Sequence, residues 1–382
     1  MSVPRPIAPL RERLRSLFFG TLRKGFETDD GRQIAVDALQ GLLAWRPFLP
    51  IVANERPYPD LGPRPASRDY SGTVFITARF RTGSTLLWNI FRHVTNCVSY
   101  YEPLSERRLF DPAVRGDRVD PTHRGISDYW REYDDMLELG QWHRADWTTR
   151  SLVLNGSDWC PDLRAYLDRL IERAAPRRAV IQENRIDFRL AWIRRQFPGA
   201  TILHLYRHPR DQWCSSLMTA SSVPRGVTMA DFGPYDHFYL KAWARDLERH
   251  FPFLSERREQ CPYRTFYLIW RLSYIFGVAF ADHSVAYEDL VSSSEATIRR
   301  AGLAAGFDID AAALAPLVTG GAVGRWSQFA EPEWYEAHET ACEAILTEFF
   351  SGLPVGEKRR PAMPPSAPDV SHAVEPVTTG RI

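Results

Sequence analysis

The stretch that most constrains this chain is Thr73–Phe91, TVFITARFRTGSTLLWNIF. Thr73-Val74-Phe75-Ile76-Thr77 is a run of β-branched and aromatic residues and predicts a strand. A tight turn at Gly83 follows, then a helix from Ser84 to about Val94 with Leu86, Leu87, Ile90 and Phe91 on its buried side. The first N–H groups of such a helix have no intrahelical partner and carry partial positive charge, which suits a phosphate. Arg81 adds a full charge, and Thr82, Ser84 and Thr85 add hydroxyl donors. The segment is not a Walker A loop: its first Gly is missing, and Ser84 follows Gly83 with no lysine between them. Gly-Ser-Thr also makes a good helix cap. A cap alone does not account for Arg79 and Arg81 on either side of Phe80.

The same alternation recurs downstream. Ala179-Val180-Ile181, Thr201–Leu205 and Ser284–Tyr287 read as further strands. Leu190, Ile193 and Phe197 mark a helix that Pro198-Gly199 stops. Strands separated by helices predict an α/β fold, P-loop-like and three-layered, with a central parallel sheet flanked by helices. Residues 1–69 read as a basic arm and a Pro-rich connector, 70–353 as one α/β domain, and 354–382 as a Pro-rich disordered tail. In the arm, six basic residues among positions 1–25 stand against Glu12 alone, and Leu10, Leu14, Leu17, Phe18 and Leu22 recur at helical spacing. The plain reading is a helix packed on the domain by its apolar stripe; the other is peripheral contact with an anionic membrane.

Composition limits the partners. Forty-eight Lys+Arg against forty-seven Asp+Glu leave a net charge of +1, so no global field draws the chain to nucleic acid. The five cysteines (97, 160, 214, 261, 342) include no C-x-x-C pair, which argues against zinc or a disulfide framework and fits a reducing compartment. No apolar run approaches the roughly 18 residues of a membrane span. The expected location is the cytoplasm, with contact at the inner face of a membrane as the option that the arm leaves open. Homo-oligomerisation is also left open.

A second motif, Tyr206-Arg207-His208-Pro209-Arg210-Asp211-Gln212-Trp213-Cys214-Ser215, follows the strand at Thr201–Leu205. R-T-G-S-T-L-L after one strand, and R-x-P-R-D with a later serine after another, resemble the sulfotransferase superfamily, in particular its bacterial and glycan-type members. The resemblance implies transfer of the sulfuryl group of 3′-phosphoadenosine-5′-phosphosulfate (PAPS) to an acceptor hydroxyl. It implies that Arg81, Thr82, Gly83, Ser84, Thr85 and Leu86 hold the 5′-phosphosulfate, and that Arg207 and Ser215 hold the 3′-phosphate. Tyr287-Glu288-Asp289-Leu290 resembles another element of the family. Gly320–Trp326 resembles the late loop that closes over the nucleotide, which implicates Arg325 and Trp326. His208 departs from the pattern, where Asp or Asn is more usual. The physics agrees: two Arg-bearing anion sites at neighbouring strand ends match a donor with anionic groups at both ends. Arg, hydroxyls and N–H dipoles can stabilise a sulfuryl group in transfer, so no metal is required.

The transfer needs a base. Glu102, in Tyr100-Tyr101-Glu102-Pro103, comes where the chain returns from the phosphate-loop helix, and relatives with Glu-Pro at this point use that Glu as general base. The resemblance thus gives Glu102 and Arg81 the catalytic roles. The plain alternative is a loop glutamate paired with Arg107 or Arg108. Glu106, His123 and His143 are further candidates for the base, and Arg185 and Arg79 for added positive charge. Aromatics crowd residues 125–160 and 225–275, among them Trp130, Trp142, Trp147, Trp159, Phe232, Tyr235, Phe238, Tyr239 and Trp243. They suit core packing first and a glycan, lipid or small-molecule acceptor second. Two other functions stay in view: a P-loop kinase or phosphotransferase, and a non-catalytic nucleotide-binding protein of the same fold.

Overall fold

A computed structural model describes residues 68–351 apart from 256, 257, 320 and 322, together with Thr21 and Thr28. The basic arm, most of the Pro-rich connector and the tail lie outside the described residues. Five parallel strands form one sheet in the order β2-β3-β1-β4-β5: β1 (Val74–Ala78), β2 (Cys97–Tyr101), β3 (Arg178–Glu183), β4 (Thr201–Tyr206) and β5 (His283–Ala286). β1 is central and buried along its whole length, as its unbroken apolar run requires. In register, Val74 lies opposite Val180 on one side and Thr201 on the other.

Alternate residues of β1 serve two cores. Val74, Ile76 and Ala78 join Leu87, Ile90 and Phe91 of α1 (Ser84–Arg92) in a cluster with Ile298 and Ala301. Phe75 joins Leu163 and Leu167 of α2 (Pro161–Ala174) and Trp192 and Ile193 of α3 (Leu190–Gln196). Helices thus cover both faces, giving the three-layer α/β architecture that the pattern of apolar runs predicts. A third cluster joins Trp213 of α4 (Pro209–Ser216), Trp243 of α5 (Leu240–Leu247), Tyr263 and Phe266 of α6 (Pro262–Phe280), and Tyr335 of the last helix, Pro332–Ser351. Pro stands in the first turn of α2, α4 and α6, where its fixed φ and missing N–H cost nothing. Among the described residues, no helix is long and apolar enough to cross a membrane.

Two details differ from the sequence reading. Cys97–Tyr101, absent from the strands read in the sequence, is an edge strand paired with β3. Tyr287 does not end β5 but begins the helix α7 (Tyr287–Ser292).

One polar residue is sealed in the packing between sheet and helix. His204 of β4 lies under Gly277 of α6, where an added Cβ would come within 2.4 Å of the imidazole. Burial alone pushes its pKa from 6.5 down to about 3, so the folded protein favours the neutral ring and the unfolded chain takes up the extra proton. Its contribution to stability is therefore complete above pH 6.5 and is lost as pH falls from there toward 3. Chemical unfolding across this window should show stability falling with acid, and His204→Gln should flatten that dependence.

Candidate active site

The turn after β1 is built on unusual backbone. Arg81 and Gly83 both have positive φ, 66° and 92°. Gly83 is irreplaceable on a second count, since an added Cβ would lie 2.4 Å from the Tyr287 ring. The Thr82 hydroxyl and N–H both turn back to the Arg79 carbonyl, at 2.7 and 3.3 Å, which closes the turn. Ser84 and Thr85 are buried in the first turn of α1. The first N–H groups there lack intrahelical acceptors, and the Leu86 N–H closes on the Gly83 carbonyl at 3.0 Å.

Because β4 lies beside β1, the second motif meets the first. Arg81 Nε donates to Ser215 Oγ at 3.1 Å, and Arg207 Nη1 donates to the Arg81 carbonyl at 3.1 Å. The Arg207 guanidinium also lies 4.5 Å from the centre of the Tyr287 ring, and burial lowers its pKa. Asp211, two residues after Pro209, ties in the late loop: its carboxylate accepts the N–H groups of Gly324 and Trp326 at 2.7 and 3.1 Å. Trp326 stacks near-parallel to the His208 ring, while Arg325 is exposed. Arg81, Thr82, Gly83, Ser84, Thr85, Leu86, Arg207 and Ser215 therefore form one constellation, with Trp326 held next to it.

Glu102 sits at the C-terminal end of β2 with positive φ, its N–H bound to the Gln182 carbonyl at 2.9 Å. Its carboxylate does not pair with Arg107 or Arg108. It accepts instead from Arg185 Nη1 at 2.7 Å and Asn184 Nδ2 at 2.6 Å, both just past β3. Arg185 also reaches Glu183 at 3.2 Å and Glu106 at 3.1 Å, so three carboxylates share one buried guanidinium. Burial opposes the charge on Arg185, but Glu102, Glu183 and Glu106 together raise its pKa. Burial pushes Glu106 up, yet Arg185 and the Tyr239 hydroxyl outweigh it and hold Glu106 below the usual range. Glu183 is raised by burial against the pull of Arg185.

His123 is the candidate base that comes closest to the phosphate loop: its Nε2 is 3.2 Å from Thr85 Oγ1, which also meets the Tyr101 hydroxyl at 2.9 Å. Burial lowers its pKa, with Asp120 acting in the other direction. His143 is held away on the Ser105 carbonyl at 3.1 Å, its pKa pushed down by burial to about 4. Sequence reasoning missed Asp120 and Asn184, and it named Tyr239 only as one of the crowded aromatics and not as the partner of Glu106. Asp120 lies 3.4 Å from Arg81, and no local pattern marks it or Asn184.

The family model for the sulfotransferase family matches residues 73–310, more than half of the chain. The chain belongs to the sulfotransferase family. That membership makes it a sulfotransferase and favours sulfuryl transfer over the kinase reading. No curated protein matches the chain. Among solved structures, the sulfotransferase domain from the Synechococcus PCC 7002 olefin synthase is 16% identical, covering 76% of this chain and 99% of its own, with a TM-score of 0.36. A sulfotransferase from Alicyclobacillus acidocaldarius is also 16% identical, covering 74% of this chain and 96% of its own, with a TM-score of 0.36.

The crowding at Gly83 gives a direct test of the loop. Gly83→Ala forces the strained φ and the Tyr287 contact together, and should lower sulfotransferase activity by about tenfold or more. A transfer assay reads the loss, and circular dichroism should show the fold intact.

Proposed function

We propose that this sulfotransferase takes the sulfuryl group from PAPS and passes it to an acceptor hydroxyl by in-line displacement. The observation that supports this reading best is the junction of Arg81, Ser215 and Arg207, where the two Arg-bearing loops meet side by side. In this reading Arg81, the first N–H groups of α1 and the hydroxyls of Thr82, Ser84 and Thr85 hold the 5′-phosphosulfate. Arg207 and Ser215 hold the 3′-phosphate, and Trp326 and Arg325 close over the nucleotide. The S–O bond to the 5′-phosphate breaks as the bond from the acceptor oxygen to sulfur forms. Negative charge then grows on the leaving phosphate, where Arg81 and the helix dipole are aimed.

Glu102 takes the acceptor proton. Arg185 and Asn184 fix its direction, and each of its oxygens keeps a lone pair for the incoming proton. Because Arg185 is shared with Glu183 and Glu106, the cluster retains negative charge with which to receive that proton. The product nucleotide is adenosine 3′,5′-bisphosphate, and the acceptor is a glycan, a glycolipid or a small molecule. A second assignment of the base rests on His123, whose Nε2 lies 3.2 Å from Thr85 Oγ1.

Radiolabelled PAPS and a panel of glycans, lipids and small alcohols test the reading. Glu102→Gln should keep its nucleotide affinity and lose about 10²–10⁴-fold in transfer, the usual worth of a general base. His123→Gln should lose far less. The opposite ranking would move the role of base to His123.

A further inference from the structure

Arg79 does something different from Arg81. Its side chain is buried, yet Nε and Nη1 have no hydrogen-bond partner. The nearest carboxylate oxygen, Asp187 Oδ2, stands 4.0 Å from Nε. Both Asp187 oxygens are already engaged, Oδ1 by the Thr77 hydroxyl at 2.8 Å and Oδ2 by the Ser273 hydroxyl at 2.7 Å. Trp243 covers one side of the guanidinium, 4.3 Å from its ring centre. A buried cation with unused donors is costly, and proteins rarely leave one without an acceptor.

Arg79 is one of the residues that line a cavity of about 20 Å³, together with Phe80, Trp213, Phe232, Phe238 and Phe266. About 10–15 Å³ admits a single water, so the cavity takes a compact group and not a whole acceptor. Asp236, also in the wall, has both oxygens occupied by the N–H groups of Leu240 and Lys241. Position ties the cavity to transfer: Phe80 is the neighbour of Arg81, and Ser216, another wall residue, is the neighbour of Ser215. Phe80 also lies 5.0 Å from the Arg185 guanidinium, which holds Glu102.

We propose that Arg79 is the specificity residue for an acceptor that carries a carboxylate on an apolar body. The carboxylate enters the cavity and accepts from the guanidinium, whose Nε and Nη1 have no other acceptor, while the apolar part extends outward past the aromatic walls. This deepens the reading of the protein as a PAPS-dependent enzyme and rests on it. The physics of the subsite is that of a buried guanidinium that meets its oxyanion only when the acceptor binds. Burial also lowers the Arg79 pKa, to about 10, against the opposite pull of Asp187, which still leaves it charged at neutral pH.

The test compares matched acids and esters: 3-hydroxydecanoate, 4-hydroxyphenylacetate and their methyl esters, titrated into the full chain with and without adenosine 3′,5′-bisphosphate. The acids should bind about tenfold or more tighter than the esters, and the difference should fall below about twofold in Arg79→Met. Because that variant leaves Asp187 without its cation, the paired variant Arg79→Met with Asp187→Asn is measured beside it, and Arg79→Lys should restore part of the preference. Both Arg79→Met proteins should bind the bisphosphate like the parent. Equal binding of acid and ester, a preference that survives in both Arg79→Met proteins, or no binding of either probe would overturn the proposal. Failure of the parent to bind the bisphosphate would count instead against the PAPS reading, and the titrations without nucleotide keep the two failures apart.

Discussion

Everything proposed for this enzyme depends on one adjacency, β4 beside β1 in parallel register. Val74 lies opposite Thr201, and the two strands end together near Ala78 and Leu205. The loops that leave those ends must then share one patch of space. Arg81 reaches Ser215, and Arg207 reaches back to the Arg81 carbonyl. Open α/β sheets place ligands beyond the carboxyl ends of their strands, where neighbouring connections diverge. Here the chain leaves β1 for β2 on one side and reaches β4 on the other. A slip of register, or a different neighbour for β1, would separate the two motifs and leave each a plain helix start.

The buried arginines show how one residue type serves different ends. Arg189 is fully buried, and its donors go to the carbonyls of Ser151, Arg185, Trp147 and Arg150. It staples a loop, and each of its three nitrogens has an acceptor. Arg185 gathers three carboxylates and orients one of them. Arg79 meets the Trp243 ring and a distant counter-ion already engaged elsewhere. Burial alone does not separate these roles. The number of satisfied donors does, because an unused buried donor has a cost that a new acceptor would recover.

Much of this was legible in the sequence because the chemistry is local. The strand, Gly turn and helix at Thr73–Phe91 announce themselves by composition, and the buried strands read as apolar runs because both their faces are covered. The second motif keeps its Arg and Ser within one loop and one helix. What stayed hidden is long-range. Cys97–Tyr101 is only five residues long with Ser99 at its middle, and its place at the sheet edge shows only in its pairing with β3. The partner of Glu102 was sought among the nearby arginines 107 and 108, but Arg185 arrives from 83 residues away by way of that same pairing. The aromatics divided as packing requires: Trp147, Trp243 and Phe232 are buried in the cores, and Trp159 stands 85% exposed. Arg79 and Arg81 look equivalent on paper, and only the turn at Phe80 sends them to different neighbours.

The central claim is that this junction reads a nucleotide with phosphate on both sides of its ribose. Calorimetry of the full chain with adenosine 3′,5′-bisphosphate, ADP and ATP, with and without Mg²⁺, tests it most directly. The account predicts that the bisphosphate binds most tightly and that Mg²⁺ makes no difference to it. Preferential, Mg²⁺-dependent binding of ATP would contradict it.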